Sequence, residues 1–557
     1  MEILYIWVKR YKNLENFELN LSSSMRFSYD VEKNIVKRSL IRKLPRNFFP
    51  PKINNVTALI GKNGAGKSNA LEAICNTLKG SGDSILSDFF VITKIPGSRK
   101  FRGYYRFLSH PKPTSQTIEF EKHSGDIKPL DVIFFSNVND RRRNNFSAEV
   151  IDLSENTKNF SGIRTNRWDL DFIKQIAFLH SPYTSELGID SPIAAHILVN
   201  VFNAVSGIKQ NGLPSENLVK LRKFIRRRTK DMLPKTRFVL LSQYLYFVSF
   251  ITAYSNTFSP SDSNENDIFD LDYDVGRILN DHQSTEEVLH EIILELKSRC
   301  VKIGLFNSQL SSVFSHPTLT DGELLGQQFN FLEQLPTLAA NLHFSYANNA
   351  IRERSQQTFT IDYSPYSIEL LQRYAENMSF SKFIDIDWMG LSSGQKAYLN
   401  LFSKLTSALQ RTTQKDIVLL IDEGDLYLHP KWQVEFLYRL LSILSTASTG
   451  NIQVVLTSHS PLLLSDLPKQ NIQILGVPDL KPDIETFGAN LYDLYAGPLF
   501  LEGMTSGLFS SLKIAEFMQF IKRKDFVSSE KEYIEDFLRI LGDEIYKYKF
   551  EELCKRD

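Results

Sequence analysis

The stretch Gly61-Lys62-Asn63-Gly64-Ala65-Gly66-Lys67-Ser68 decides the fold. It follows the apolar run Val56-Thr57-Ala58-Leu59-Ile60, which reads as a short buried strand. It opens a segment, Lys67–Leu78, whose Ala70, Leu71, Ala73, Ile74 and Leu78 recur at helical spacing. Strand, glycine-rich turn and helix in that order are the setting of a phosphate-binding loop. The glycines let backbone N–H groups point inward, and the helix N-terminus adds positive potential for phosphate. Lys67 is the cation expected at the β- and γ-phosphates, and the Ser68 hydroxyl is a Mg²⁺ ligand. Gly61 to Ser68, with Asn69 behind them, are thus the candidate contacts for ATP and Mg²⁺.

A second strand, Ile417-Val418-Leu419-Leu420-Ile421, ends in Asp422-Glu423. Two acids directly after five buried apolar residues are costly unless they serve a ligand, which in open α/β sheets binds at the strands' C-terminal ends. Asp422 is the expected partner of Mg²⁺ and Glu423 the expected general base for the attacking water. A third strand, Ile452–Leu456, leads into Thr457-Ser458-His459-Ser460-Pro461, so His459 falls at the same sheet edge, where it could hold the water or the γ-phosphate. Strand–helix alternation around these motifs, with helices expected at Gln395–Leu409 and Pro430–Leu444, predicts a mostly parallel sheet.

Composition sets outer bounds. At 557 residues, 42% hydrophobic and 23% charged, the chain is expected to hold more than one compact unit with ample core. A net charge of +1 leaves any contact with nucleic acid to local patches. The three cysteines, Cys75, Cys300 and Cys554, show no metal-ligand spacing, as expected of free thiols in a reducing cytoplasm. No basic region precedes an apolar stretch at the N-terminus, so no signal peptide is expected. The uncharged run Phe238–Tyr254 has the size of a membrane span, but its serines and tyrosines along the whole length favour a buried helix.

Other segments carry local signals. The first twenty residues alternate apolar and polar, predicting two strands around a turn at Tyr11-Lys12-Asn13-Leu14. Residues 22–52 are basic and aperiodic and read as an insertion, and Val132–Phe135 reads as a strand. From residue 141 the pattern becomes helical. Ser191-Pro192 has the form of a helix start before Ile193–Val205. Ser284 and Glu287 form a capping box before Val288–Leu296. Ser261–Asp274 reads as an acidic linker. The expected division is an ATPase half at 1–140, a helical insertion at 141–385, the second ATPase half at 386–500 and a C-terminal helical segment at 501–557.

Assembled, the motifs resemble the ABC-type ATPases of the RecF/SMC/OLD-like branch. The order is Gly61–Ser68, then Leu391-Ser392-Ser393-Gly394-Gln395, then Asp422-Glu423-Gly424-Asp425 with Leu428-His429-Pro430, then Thr457–Pro461. The resemblance implies an α/β fold in which two nucleotide-binding domains sandwich two ATP molecules head to tail. Ser392, Ser393, Gly394 and Gln395 would then meet the neighbour's nucleotide, and Asp425 would sense that neighbour. Ser393 departs from the family's usual glycine, and Gln116 is the one candidate for its Q-loop glutamine.

A narrower resemblance rests on Tyr11–Leu14, on Val132–Asn137 and on Thr486-Phe487-Gly488-Ala489-Asn490 with Leu491–Leu494. These look like ATPases of anti-phage systems of the Septu type, including those attached to retrons. That likeness implies a homo-oligomer working beside a separate HNH nuclease and, in retron versions, a reverse transcriptase with its RNA–DNA product. The stretch after His459 is too short for a Toprim nuclease domain, and no HNH-like cluster is found, so cutting is assigned to a partner. A RecF-like repair clamp and an ATP-dependent scaffold with little turnover stay open as alternatives.

Three basic stretches are candidate nucleic-acid contacts: Lys220–Arg237, Arg141-Arg142-Arg143, and Arg99–Arg106 with Phe101, Tyr104 and Tyr105 interleaved. A solvated helix face and core aromatics are the competing readings.

Overall fold

The chain begins with strands β1 (Glu2–Tyr11), β2 (Leu14–Asn20), β3 (Met25–Asp30) and β4 (Ile35–Leu40). Next come β5 (Ile53–Gly61), α1 (Lys67–Lys79), β6 (Phe89–Lys94), β7 (Phe101–Arg106), β8 (Ile118–Lys122), β9 (Asp131–Ser136) and β10 (Val150–Asp152). The middle holds α2 (Leu170–Leu179), α3 (Tyr183–Leu187), β11 (Ala194–Asn200), β12 (Lys209–Gln210), β13 (Leu213–Pro214), α4 (Glu216–Arg228) and α5 (Pro234–Thr257). It continues through α6 (Leu271–Asp281), α7 (Thr285–Lys302), α8 (Asp321–Ala339), β14 (Phe344–Tyr346), β15 (Gln356–Asp362), α9 (Pro365–Met378) and β16 (Ile384–Met389). Then follow α10 (Ser393–Arg411), β17 (Asp416–Asp422), α11 (Pro430–Ala447), β18 (Asn451–Thr457), α12 (Pro461–Ser465) and β19 (Ile472–Leu475). Helices α13 (Leu508–Ile521), α14 (Ser528–Ile540) and α15 (Glu544–Cys554) come last. This computed structural model describes residues 1–80, 87–95, 100–108, 111–123, 125–138, 144–154, 170–200, 209–210, 213–214, 216–257, 271–307, 319–346, 356–378, 380–381, 383–476, 485–491, 494, 508–522, 527–542 and 544–554.

A six-stranded sheet in the order β10-β9-β17-β18-β5-β19 organises the molecule, and every neighbouring pair in it is parallel. Its strands read as unbroken apolar runs because both faces are covered. Along β17, Val418 and Leu420 pack with Leu71, Ile74 and Leu78 of α1. Ile417, Leu419 and Ile421 point the other way, into a core shared with Leu401 of α10 and Leu440 of α11. The far side of α1 meets Ile3, Ile6 and Val8 of β1, so this helix lies between two sheets.

That second sheet, β2-β1-β6-β7-β8, contains the expected strand–turn–strand at residues 2–20. Residues 22–52 are not aperiodic throughout: β3 and β4 pair as a hairpin. Phe27, Tyr29 and Val36 of this hairpin close the sheet's outer face over Tyr5, Trp7 and Phe90. Phe101 is buried in that cluster, and Tyr104 and Tyr105 pack on opposite sides of the sheet. The aromatics of 99–106 therefore belong to the core, while Arg99 and Arg141–Arg143 lie outside the described residues.

The middle region is rich in helices but also carries a four-stranded antiparallel sheet, β14-β15-β11-β16. The helix expected over Ile193–Val205 is corrected here. Ala194–Asn200 is a strand, with Ala195, Ile197 and Val199 buried at a spacing of two, and residues 201–205 lie outside the described set. Pairing with β15 on one side and β16 on the other overrides the helix-start signal of Ser191-Pro192.

Helix α5 buries the uncharged run, and three of its polar groups are bonded inside the protein, Tyr246 to Gln328 (2.9 Å), Ser242 with Tyr374 (3.1 Å) and Ser249 to Ser381 (2.6 Å), while the buried Tyr244 hydroxyl finds no partner among the described residues. Among the described residues no helix is long and apolar enough to cross a membrane. Ser284 caps α7 by accepting from the Glu287 N–H at 3.1 Å. Most of the acidic stretch at 261–274 is undescribed, but Leu271–Asp274 already belong to α6. Phe517, Ile521, Ile534 and Phe550 form a separate small core in the last three helices.

Candidate functional site

The parallel sheet brings the C-terminal ends of β5, β17 and β18 side by side, and each delivers a predicted residue. At the end of β5 the loop turns through Gly64 (φ 80°) and Gly66 (φ 92°), both in the left-handed region that disfavours a side chain. Tight packing adds a second constraint. A Cβ on Gly66 would lie 2.8 Å from the Leu14 side chain, and one on Gly61 would lie 2.8 Å from the Leu475 carbonyl oxygen. The turn between β1 and β2 also clasps the loop from outside. Asn13 Nδ2 donates to the Gly64 carbonyl at 3.2 Å, and Asn69 Nδ2 donates to Asn13 Oδ1 at 2.6 Å.

Lys67 curls back over its own loop, donating to the carbonyls of Gly61 (3.0 Å) and Lys62 (3.4 Å). Burial lowers its pKa, while the charges of Glu423 and Asp422 oppose that shift. Lys62, Asn63 and Gly64 are exposed, whereas Ala65, Gly66, Ser68 and Asn69 are half-buried around the loop.

Asp422 is buried at the end of β17. Its carboxylate accepts from Thr457 Oγ1 at 2.7 Å and from Ser136 Oγ at 3.4 Å. Thr457 Oγ1 in turn accepts from the Glu423 N–H at 3.0 Å, so one hydroxyl fixes both acids. Glu423 adopts φ 49°, an uncommon conformation for a non-glycine residue and one that clusters at functional positions. Its carboxylate lies 3.2 Å from His459 Nε2. Burial, and next the charge of Asp422, push the Glu423 pKa up; His459 and Lys67 oppose the rise. Glu423, Asp425, Tyr427, Gln433, His459 and Ser460 line a cavity of ≈ 280 Å³. Asp425 is itself buried, accepts from Ser458 Oγ at 2.6 Å, and has its pKa raised by that burial.

Residues 391–395 are not gathered with this group by any described hydrogen bond. They start α10, where Ser392 Oγ accepts from the Gln395 N–H (3.2 Å) and Gln395 Oε1 accepts from the Ser392 N–H (2.8 Å). Ser392 and Ser393 are exposed. Gln395 is buried, and its Nε2 donates to Asp190 at 2.9 Å. Gly394 faces the Trp432 ring, which stacks on Tyr398. Gln116 is exposed in a bend before β8.

Sequence reasoning gave no role to Thr457, Ser136, Asn13 or Asp190. Thr457 and Ser136 each end a recognised strand beside a recognised acid, a signal that could have been used. Asp190 acts across 205 positions and left none. The basic stretch at 220–237 resolves into α4, with Leu218, Leu221 and Ile225 inward and Lys223, Arg226, Arg227 and Arg228 exposed. Beyond α4, Lys235 donates to the Ala340 carbonyl, and Arg237 donates to the Lys230 carbonyl and lies over Tyr346.

Residues 221–465 match the family described as "AAA domain, putative AbiEii toxin, Type IV TA system", a span that includes 391–395, Asp422, Glu423 and His459 but not the loop at 61–68. The chain is 24% identical over 502 residues to "Retron Vc95 probable ATPase" of Vibrio cholerae serotype O1 biovar El Tor, covering 87% of this chain and 82% of that one. It is 31% identical over 99 residues to "Retron Ec83 probable ATPase" of Escherichia coli, 16% of this chain and 17% of that one. It is also 24% identical over 190 residues to "Septu protein PtuA" of Bacillus thuringiensis, 30% of this chain and 47% of that one. Residues 221–465 thus resemble an AAA-type domain, and the chain is similar to retron probable ATPases and to the Septu protein PtuA.

Proposed function

We propose that this protein binds and hydrolyses ATP as the sensor or effector subunit of a bacterial anti-phage complex, of Septu or retron type, and controls a separate nuclease. The observation that carries the ATPase reading is the meeting of Lys67, Asp422, Glu423 and His459 at the ends of three adjacent parallel strands. In this reading Gly61–Asn69 cradle the phosphates, and Ser68 and Asp422 hold Mg²⁺, which neutralises the β- and γ-oxygens when bound. Glu423 takes the proton of the attacking water, and His459, 3.2 Å away, steadies that carboxylate and the water. The donor set suits a hard cation: a carboxylate already oriented by two hydroxyls, and a serine hydroxyl in the first turn of α1.

The ABC-type arrangement follows as part of the proposal. The sheet draws β5 and β9 from the first part of the chain and β17 to β19 from the last, which supports two half-domains, 1–140 and 386–500, split by the segment 141–385 and followed by 501–557, although β10 at Val150–Asp152 extends the sheet past residue 140. Two such subunits would pair head to tail, with Ser392, Ser393 and Gly394 of each facing the other's nucleotide and Asp425 at the seam. Partners are then an HNH-type nuclease and, for a retron, a reverse transcriptase with its RNA–DNA hybrid. The names of the relatives support a retron- or Septu-type setting, and the partners themselves come from the resemblance to such systems.

Lys67→Ala should weaken ATP binding roughly 10–100-fold, the equivalent of one hydrogen bond between charged groups. Titration with a fluorescent ATP analogue measures it, and unchanged affinity would remove Lys67 from the phosphate site. Purified alone, the chain should cut neither DNA nor RNA with Mg²⁺, Mn²⁺ or Zn²⁺. The ten histidines are scattered in sequence, and the acids best placed for a metal are assigned to ATP. Specific cleavage that survives repurification and disappears on mutating this chain would overturn that division of labour.

A further inference from the structure

From Lys33 to Leu71 the chain contains no acidic residue, yet residues 33–52 hold seven cations: Lys33, Lys37, Arg38, Arg42, Lys43, Arg46 and Lys52. In a chain whose net charge is only +1, this is a marked local concentration. All seven are exposed. Three have local contacts: Lys33 lies 3.9 Å from Asp30, Arg38 lies over the Phe101 ring, and Lys52 donates to the Ser448 carbonyl at 2.6 Å. Among the described residues, Lys37, Arg42, Lys43 and Arg46 pair with no acid. Like charges concentrated in one short segment repel one another, a cost that a bound polyanion would relieve.

The segment also builds a recess. Lys43, Asn47, Phe48, Phe49, Lys52 and Asn54 line a cavity of ≈ 730 Å³, inside the roughly 300–1,000 Å³ range of ligand pockets. Phe48 and Phe49 are half-buried and packed edge to face at 5.1 Å, and Phe48 meets Phe487, which is 59% exposed, at 5.2 Å. The cavity lies beside Ile53, where β5 begins, and the phosphate loop leaves the other end of that strand, about 26 Å away at ~3.3 Å per residue. It is a separate place from the ATP site.

We propose that residues 37–49 form a binding surface for a single strand of nucleic acid, with Lys37, Arg42, Lys43 and Arg46 on the phosphates and the Phe48–Phe49–Phe487 cluster as a stacking platform for bases. Unpaired cations beside exposed aromatic edges favour a single strand over an anionic membrane, which offers charge but no planar rings. They also favour it over an acidic protein, which offers no regular phosphate spacing. The proposal does not depend on ATP hydrolysis.

The test is fluorescence anisotropy of the full chain with a labelled oligothymidylate of about 20 nucleotides, titrated from ~50 to ~200 mM salt. Arms with a duplex of equal length, phosphatidylserine vesicles and polyglutamate run in parallel. The triple variant Arg42→Ala/Lys43→Ala/Arg46→Ala should bind the oligonucleotide about tenfold or more weakly and flatten the log–log salt slope by about two, since each single-strand phosphate contact contributes ~0.7. Phe48→Ala should weaken binding with the slope unchanged. Arg226→Ala/Arg227→Ala/Arg228→Ala on α4 should leave both intact, and ATP turnover without nucleic acid should be the same in the triple variants and wild type. Wild-type-like binding by the Arg42/Lys43/Arg46 variant, loss only in the α4 variant, absence of oligonucleotide binding by the native chain, or a preference for duplex, vesicles or polyglutamate would each overturn the assignment.

Discussion

Glu423→Gln should slow ATP hydrolysis by roughly 10²–10⁴-fold, the typical loss on removing a general base, while ATP still binds. The geometry explains why the effect should be confined to chemistry. Glutamine keeps the shape of the side chain, and the backbone of residue 423 is anchored independently, its N–H donating to Thr457 Oγ1 at 3.0 Å. What is lost is the anionic oxygen 3.2 Å from His459 Nε2. Asp422, on which Mg²⁺ depends in this reading, keeps its own hydroxyl partners. A pH profile gives a second measurement. Because burial and Asp422 raise the Glu423 pKa, the base is lost to protonation sooner as pH falls than an ordinary glutamate would be. The acidic limb of kcat/KM, which reports the free enzyme, should therefore lie above the usual carboxylate range and vanish in Glu423→Gln. Unchanged turnover in the variant would remove Glu423 from the mechanism.

Gly394→Glu is expected to abolish hydrolysis and leave ATP binding to the separate subunit nearly intact. A Cβ at this position would lie 3.4 Å from the Trp432 ring and 3.6 Å from the Tyr427 carbonyl oxygen, ordinary contacts, so the helix start should survive. Ser392→Ala would be a poorer test, because it removes a helix cap that contributes ~1 kcal/mol to folding by itself. Mixing Gly394→Glu with Lys67→Ala subunits should return partial activity. In a two-fold pair one composite site then receives both defects and the other receives none. Steady-state turnover of mixtures against each variant alone reads this directly. A hydrodynamic monomer of Gly394→Glu that hydrolyses ATP at the full rate would refute action in trans.

Much of this site was legible because its signals are local. The phosphate loop is eight consecutive residues, and the two acids follow one unbroken apolar strand. The helix expected from Gln395 starts two residues earlier, at Ser393, where Ser392 and Gln395 form a reciprocal cap. The Gln395 amide is also held by Asp190, a pairing no window of sequence contains. At Ala194–Asn200 local signals did not decide. A serine–proline start suggested helix, the run Ile197-Leu198-Val199 fits either state, and only the flanking strands from residues 356–362 and 384–389 decided for a strand that buries Ala195, Ile197 and Val199.

The sequence by itself therefore singled out the candidate residues and the parallel-sheet class, since loop and strand signals act over fewer than about ten neighbours. Tertiary structure alone decided how those residues are held. Thr457 spans Asp422 and Glu423, Asn13 clasps the Gly64 carbonyl, and Leu14 and Leu475 leave no room for a side chain at Gly66 and Gly61. Each of these contacts joins segments far apart in the chain. Parallel pairing of β17 with β18 sets Thr457 beside the two acids, pairing of β19 with β5 brings Leu475 to Gly61, and the β1–β2 turn packed against the loop supplies Asn13 and Leu14.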